Sequence, residues 1–116
     1  MSAPAQQRLV STYYAAVGHE DWEATYSMLD PPSQSKVARE EWIREQQARE
    51  DASDKPPVKS AQITQMSKQP GSFTLIVELT HEDGTKTTVS GMKIHSVDGE
   101  FRRHLTREEL IDGALL

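Results

Sequence analysis

The stretch "STYYAAVGHEDWEATYSMLD", residues 11–30, holds four of the seven aromatic residues of the chain, so it decides how the fold begins. Apolar residues from Leu9 to Val17 recur on one stripe at 100° per residue, which predicts an amphipathic helix over residues 6–17. Gly18 is expected to end this helix. Asp21 is then placed to cap a second helix of about two turns, in which aromatic residues share one face.

The second helix is expected to end at Pro31-Pro32, because the residue before a proline is pushed out of the α region. A third, highly charged helix is predicted over residues 35–50, and its narrow apolar side consists of Trp42 and Ile43 beside Gln46. The run "DASDKPPVK", residues 51–59, is rich in turn-forming residues and marks the change from helix to strand composition. The helical part of the chain therefore comes first.

After residue 57 the hydrophobic period changes to two, which is typical of strands. Four strands are predicted, in "VKSAQITQMSK" (58–68), "FTLIVEL" (73–79), "TKTTVSGMKIH" (85–95) and "EFRRHL" (100–105). Asp83-Gly84 and Asp98-Gly99 each predict a hairpin with a loop of two residues. Thr106 and Glu109 have the spacing of a capping box, which indicates a short C-terminal helix. The fold class is therefore α+β: three N-terminal helices packed on a curved four-stranded antiparallel sheet, with a short C-terminal helix.

Two loops of two residues each fix which side chains share a face of the sheet. The inner face, which the helices should cover, collects Phe73, Leu75, Val77, Leu79, His81, Ser90, Met92, Ile94, Phe101, Arg103 and Leu105. The outer face collects Glu78, Val89, Lys93, His95, Arg102 and His104. Arg103 is thus predicted to point inward among apolar neighbours, where an arginine suits a ligand carboxylate.

The length and composition of the chain limit which classes of protein are possible. A chain of 116 residues is expected to form one domain, residues 1–116, and 35% hydrophobic residues give it a modest core. The net charge is −5 and no basic run is present, so nucleic-acid binding is excluded. No apolar stretch reaches the roughly 20 residues that span a bilayer, so we expect a soluble chain. With no cysteine, no phosphate-binding loop and no metal-ligand spacing, we expect no cofactor.

The order of helices and strands, together with "YYAAVGHEDWEATYSMLD", resembles the nuclear transport factor 2-like superfamily over nearly the whole chain. The resemblance implies a cystatin-like cone, in which a curved sheet wraps the helices and a pocket opens between the first helix, the third helix and the concave face. The residues expected to line that pocket are Tyr13, Trp42, Gln46, His81, Met92 and Arg103. The aromatic residues at helical spacing are also expected to be core, with Tyr13, Trp22 and Tyr26 packed under the sheet.

Enzymes of this superfamily, such as polyketide cyclases and ketosteroid isomerases, resemble this chain at the first-helix tyrosine, Tyr13. The isomerases place their aspartate base on a strand after the second helix, whereas this chain has "DPPSQSKVAREEW", residues 30–42, which predicts a turn and a helix. The inner sheet face carries no Asp or Glu. We therefore predict no catalytic residue. A lyase or isomerase that uses Tyr13, His81 and Arg103 around an apolar substrate stays as an alternative.

The histidines are predicted to be solvated. His95 and His104 lie on adjacent strands of the outer face, but they are expected to be too far apart in register to pair, and only Glu78 is nearby. A metal site needs three or more converging ligands, so no metal site is predicted. His81 is a weak candidate for a general base.

The predicted function is a non-enzymatic binding or protein-interaction domain, whose partner is a small apolar ligand or another protein. The resemblance extends to extracytoplasmic domains of the superfamily, including those that precede penicillin-binding modules. The start "MSAPAQQRL" has no signal-peptide pattern, so the chain is either cytoplasmic or an extracytoplasmic chain whose signal or anchor has been removed. A homodimer is expected, because "LIDGALL", residues 110–116, leaves apolar side chains at a chain end. A structural dimerisation domain is a third alternative.

Overall fold

A computed structural model gives the architecture of the protein and describes residues 4–112. Helices precede an antiparallel sheet, and a short helix follows it, so the predicted α+β class is confirmed. The elements are α1 (Ala5–Gly18), α2 (Trp22–Ser27), α3 (Pro31–Lys36), α4 (Arg39–Ala52), β1 (Val58–Gln69), β2 (Ser72–His81), β3 (Lys86–Val97), β4 (Glu100–His104) and α5 (Arg107–Asp112). The strand order is β1-β2-β3-β4. No helix within residues 4–112 combines the length and the apolar character needed to cross a bilayer.

The first helix and the start of the second form as the sequence predicts, but α2 ends at Ser27, before the predicted end at Pro31. The Asp21 carboxylate accepts a hydrogen bond from the backbone N–H of Ala24 at 3.2 Å, which confirms the cap of α2. Gly18 ends α1 where the helix meets the sheet, and a Cβ there would collide with the carbonyl oxygen of Val58. Glycine is therefore required for the close approach of α1 to β1.

The predicted role of Pro31-Pro32 is wrong, because these prolines begin a helix instead of ending one. The Asp30 carboxylate caps α3 by accepting from the backbone N–H of Ser33 at 3.1 Å. Proline suits the first helical positions, since its ring presets φ and no N–H is needed there. The predicted third helix is thus two helices. Val37 and Ala38 separate them in extended conformation, and the Tyr26 hydroxyl donates to the Val37 carbonyl at 2.7 Å.

The two hairpins differ. Val97 pairs with Glu100 across Asp98-Gly99, and both loop residues have positive φ, which confirms the loop of two residues. At the other hairpin the predicted loop is wrong: Thr80 pairs with Lys86, and His81 N–H donates to the Thr85 carbonyl at 2.8 Å, which leaves a loop of three residues. Gly84 supplies the positive φ that such a loop requires.

This longer loop shifts the pairing of β3 with β2 by one residue near the hairpin, which changes the face on which the β3 side chains lie. Val77 pairs with Val89 and Leu79 with Thr87, so Val89 and Thr87 lie on the inner face and Ser90 on the outer face, which corrects the prediction for Val89 and Ser90. A bulge at Gly91, where φ is +80°, restores the expected register at Leu75 and Met92. The inner face therefore presents Thr87 and Val89 near the hairpin and Met92 and Ile94 farther along.

The core lies between the helices and the inner face of the sheet. It contains the buried residues Val10, Tyr13, Tyr14, Val17, Trp22, Leu29, Trp42, Leu75, Val77, Leu79, Met92, Ile94 and Leu105. The prediction that Tyr13 and Trp22 are core is confirmed, since they are 0% and 3% exposed, whereas Tyr26 is only partly buried and packs against the core. The aromatic residues of the opening segment thus hold α1 and α2 under the sheet.

Residues 28–30 run beside β4 and tie the helical half to the sheet. The backbone N–H of Arg103 donates to the Met28 carbonyl at 2.8 Å, and the N–H of Asp30 donates to the Arg103 carbonyl at 2.8 Å. The Asp30 side chain consequently lies beside His104 of β4, on the outer face of the sheet. The predicted docking of the C-terminal segment falls mostly on residues 113–116, which lie outside the described residues.

Candidate functional site

Two of the predicted pocket residues, Tyr13 and Arg103, meet inside the cone. The Arg103 guanidinium donates to the Tyr13 hydroxyl at 2.8 Å and lies 5.1 Å from the centre of its ring. The same guanidinium forms a 2.5 Å ion pair with Glu109 of α5. Arg103 is 2% exposed, so its predicted inward orientation is confirmed. Glu109 of the same chain therefore occupies the place that the sequence suggested for a ligand carboxylate.

The charge state of this group follows from its surroundings. Burial opposes the charge on Arg103, but Tyr13, Tyr14 and Glu109 outweigh that effect and raise the pKa of the guanidinium. Burial raises the pKa of the Tyr13 hydroxyl, although Arg103 works in the opposite direction. Burial also raises the pKa of Tyr14, to about 12. A charged arginine and two neutral phenols therefore form this group at neutral pH.

Three other predicted pocket residues are buried elsewhere in the core. The indole N–H of Trp42 donates to the Thr25 hydroxyl at 3.0 Å and ties α4 to α2. Met92 and Gln46 are 0% exposed. Among residues 4–112 the Gln46 amide has no hydrogen-bond partner. Of the six predicted residues, His81 alone borders the cavity described next.

A cavity of about 310 Å³ opens at the end of the cone where α1 and α4 finish and the sheet begins. We call it the end cavity. Its apolar wall comes from Tyr14, Val17, Pro56, Val58, Leu79 and Val89, and its polar wall from Glu50, Ser53, Lys55, His81 and Thr87. A second hollow, of 550 Å³, is a shallower groove along the start of α1 and the Asp98-Gly99 turn. The end cavity is the more enclosed of the two.

His81 is held in one orientation at the wall of the end cavity. Its Nδ1 lies 2.8 Å from the Pro56 carbonyl, which only accepts, so the ring donates from Nδ1. In the neutral ring Nε2 is then an acceptor, and it lies 2.7 Å from the Thr87 hydroxyl. The Lys55 ammonium donates to the same hydroxyl at 3.0 Å. Both ring nitrogens are therefore engaged within the protein.

Glu50 is the carboxylate that the sequence analysis missed. It lies in the last turn of α4 and reaches the end cavity, where within residues 4–112 it makes no side-chain hydrogen bond or ion pair. Burial raises the pKa of this carboxyl, the nearby acids Glu20 and Asp51 raise it further, and His81 opposes part of the rise. The spacing Trp42, Gln46, Glu50 is i, i+4, i+8, which places all three on one helix face, so the signal was present in the sequence.

A second group of polar side chains lies on the outer face of the sheet, and its existence corrects the prediction that His95 and His104 are separate and solvated. Their rings stack with centres 4.4 Å apart. The two Nδ1 atoms lie 3.1 Å (His95) and 2.8 Å (His104) from the same carboxylate oxygen, Oδ2 of Asp30. We call these three residues the Asp–His cluster.

The cluster forms because strand register and a distant segment act together. His104 pairs with Lys93 and His95 with Arg102, so the two histidines are diagonal neighbours, a separation that aromatic rings can bridge. Asp30 arrives through the pairing of residues 28–30 with β4. Burial opposes ionisation of Asp30, but hydrogen bonds from Ser33 and His104 outweigh it and hold the pKa of the carboxyl below its usual range.

Comparison with known proteins places the fold. No family model matches the sequence, and no curated protein matches it. Among solved structures, a Campylobacter jejuni protein named as an NTF2-like transpeptidase superposes with a TM-score of 0.63 at 15% identity, covering 87% of this chain and 98% of its own. A SEC-C motif-containing protein of Rhodopseudomonas palustris superposes with a TM-score of 0.50 at 12% identity, covering 78% of this chain and 68% of its own.

These likenesses concern the fold, because the identities are low. The helix order, the curved antiparallel sheet and the superposition together show that the chain has the nuclear transport factor 2-like fold, as its sequence pattern indicated.

Proposed function

We propose that the protein is a non-catalytic binding domain, whose end cavity takes a small and largely apolar molecule that bears one amino or other hydrogen-bond-donating group. The observation that carries the proposal is the unpaired Glu50 carboxylate in a mostly apolar cavity of about 310 Å³. That volume lies at the lower end of the range of about 300 to 1,000 Å³ typical of ligand pockets. The nuclear transport factor 2-like fold is a scaffold suited to such sites.

The chemistry of the wall supports the choice of ligand. Burial and the neighbouring acids disfavour a negative charge on Glu50, so a cation or donor beside it would relieve an unfavourable situation. The remaining polar groups of the wall, Ser53, Lys55, His81 and Thr87, are hydrogen-bonded to one another or to the backbone. Tyr14, Leu79 and Val89 offer apolar surface to the rest of the ligand.

The non-catalytic part of the proposal rests on how the candidate catalytic groups are arranged. Arg103 pairs with Tyr13 and with Glu109, and neither Tyr13 nor Arg103 borders the cavity that His81 lines. His81 uses both ring nitrogens in hydrogen bonds, so it would have to give up its contact with Thr87 before acting as a base.

A lyase or isomerase is the second candidate function, and Glu50 favours it. A carboxyl whose pKa is raised in an apolar cavity is the kind of group that general acid–base catalysis employs. The two functions differ in what happens to the ligand. A binding domain returns the bound molecule unchanged, whereas an isomerase exchanges a carbon-bound proton with solvent, which NMR in D₂O detects.

The test of the proposal is a calorimetric titration with three probes of one carbon skeleton: phenethylamine, phenethyl alcohol and phenylacetic acid. We expect the amine to bind best, the alcohol less well and the acid least. In Glu50→Gln the affinity for the amine should fall by about tenfold to about a hundredfold, the effect of losing a hydrogen bond to a charged group.

Glu45→Gln is the matched control, because Glu45 is an exposed residue of the same helix that does not border the end cavity. Its affinity for phenethylamine should equal that of the wild type. Equal losses in Glu45→Gln and Glu50→Gln would show a general charge effect and would contradict the proposal. Preference for phenylacetic acid would contradict it as well.

A further inference from the structure

We propose that Asp30, His95 and His104 form a binding site for one divalent ion of the late first-row transition metals, such as Zn²⁺, Ni²⁺ or Cu²⁺. The site lies on the outer face of the sheet and is separate from the end cavity. Imidazole nitrogens with a carboxylate oxygen are ligands that these metals accept, and Mg²⁺ or Ca²⁺ would prefer an all-oxygen set.

The geometry of the three ligand atoms carries the inference. Oδ2 of Asp30 lies 2.8 Å from Nδ1 of His104 and 3.1 Å from Nδ1 of His95, and the three ligand atoms lie within 4.8 Å of one another. Zinc lies about 2.0 to 2.2 Å from nitrogen and oxygen ligands, so its ligand atoms are separated by distances of this order. The two imidazoles, which are stacked with ring centres 4.4 Å apart, would have to turn so that both Nδ1 lone pairs face one ion.

Asp30 is already oriented as a metal ligand. Its other oxygen, Oδ1, accepts from the backbone N–H of Ser33 at 3.1 Å and from the Ser33 hydroxyl at 2.6 Å. The Ser33 hydroxyl in turn accepts from the backbone N–H of Leu105 at 2.9 Å. These bonds leave Oδ2 to face the two imidazoles. Hydrogen bonds from groups behind the ligands orient them in this way in metal sites generally.

Metal binding requires only that protons move between the imidazole nitrogens. In the metal-free protein Nδ1 of His104 is hydrogen-bonded to Oδ2 of Asp30 at 2.8 Å, and Nδ1 of His95 lies 3.1 Å from the same oxygen, so the carboxylate favours a proton on each Nδ1. Each ring would pass its Nδ1 proton to water and take one up at Nε2, which frees the Nδ1 lone pair. The metal then accepts lone pairs from two nitrogens and one carboxylate oxygen, and the ligands release no net proton. The side chains of His95 and His104 are 31% and 22% exposed, so solvent reaches the remaining coordination position.

Positively charged neighbours are expected to lower the affinity of this site for a metal ion. Lys93 and Arg102 pair with His104 and His95 and share the outer face with them, so two positive charges lie near the proposed ion. The Arg102 guanidinium donates to the Ser27 carbonyl at 2.7 Å, which holds that charge toward α2. Lys93 is the charge that a variant can remove without disturbing this contact. Lys93→Gln is therefore expected to tighten metal binding.

The experiment is a calorimetric titration of the whole chain with ZnCl₂ at neutral pH in a buffer that does not bind metals, repeated with Co²⁺ to record its visible absorption. We expect one ion per chain and the intense d–d bands of a low-coordinate site. His95→Gln and His104→Gln should each weaken binding by more than about tenfold. Loss of a group that only orients a ligand costs about 10-fold to 100-fold, so Ser33→Ala should fall in that range.

His19→Gln is the control, since His19 is exposed on the loop after α1 and takes no part in the cluster. Its affinity for Zn²⁺ should match that of the wild type. Where a variant folds poorly, ¹⁵N spectra of the wild type give an independent readout: Zn²⁺ should move the ring protons of His95 and His104 from Nδ1 to Nε2. Unchanged tautomers, unchanged affinity in His95→Gln, or no saturable heat with a large excess of ZnCl₂ would each overturn the proposal.

Discussion

Replacing Glu109 with glutamine should destabilise the fold by removing the negative charge that pairs with Arg103. The Glu109 carboxylate accepts from the Arg103 guanidinium at 2.5 Å through Oε2 and from the backbone N–H of Thr106 at 2.9 Å through Oε1. Glutamine preserves the capping interaction, because the third position of a capping box takes either residue. With its amide oxygen on the cap, the glutamine turns its amide N–H₂ toward the guanidinium, so the substitution removes both the charge and the acceptor that Arg103 uses.

The expected loss is about 1.5 to 3 kcal/mol of the free energy of unfolding, the contribution of a hydrogen bond to a charged group. Breaking a fully buried ion pair costs about 3 to 5 kcal/mol, but here the Glu109 side chain is 22% exposed against 3% for Arg103, so water offsets part of the loss. For a chain of this length the loss corresponds to a fall in Tm of about 6 to 12 °C.

Urea unfolding followed by the fluorescence of the two tryptophans measures this loss. Glu108→Gln is the matched control, because Glu108 is the exposed neighbour on α5 and should change stability by less than about 0.5 kcal/mol. A double-mutant cycle with Arg103→Met should give a coupling energy within about 0.5 to 3 kcal/mol. Equal effects of Glu109→Gln and Glu108→Gln would refute the buried ion pair.

Three further predictions concern Glu50, Gln46 and self-association. Because the pKa of Glu50 is raised in the folded state, stability should fall as pH rises from the usual glutamate range through the raised value, and urea titrations across pH should show that Glu50→Gln removes this fall. Gln46→Met should raise stability by about 1 to 3 kcal/mol in urea titrations, since the buried amide has no partner among residues 4–112, and a loss would show that the amide is satisfied. Sedimentation equilibrium should show a homodimer, and a single species of 13.0 kDa would contradict it.

The parts of the fold that were predictable from sequence depend on neighbours in the chain. The period-two pattern identified the strands, and the caps at Asp21 and Thr106 are local hydrogen bonds. Asp83-Gly84 misled because the same dipeptide fits a loop of two residues or one of three. The choice is coupled to the bulge at Gly91, several residues away.

Pro31-Pro32 misled for a similar reason. A proline pair suits the end of one helix and the start of the next equally well, and the outcome here follows from the pairing of residues 28–30 with β4. The Asp–His cluster depends on that same pairing, because it brings Asp30 beside His104 although the two residues are 74 positions apart in the sequence. Glu50, by contrast, was accessible from helical spacing alone, and it was overlooked because its helix is charged on most sides.

Intermolecular nuclear Overhauser effects between bound phenethylamine and the methyl groups of the protein test the binding site most directly. If the end cavity holds the ligand, the aromatic protons of phenethylamine should show contacts to the methyls of Leu79 and Val89, which border that cavity. Glu50→Gln should weaken these contacts. Contacts to Met92 and Ile94, which lie in the closed part of the core, or contacts confined to the groove beside Leu9, would contradict the assignment.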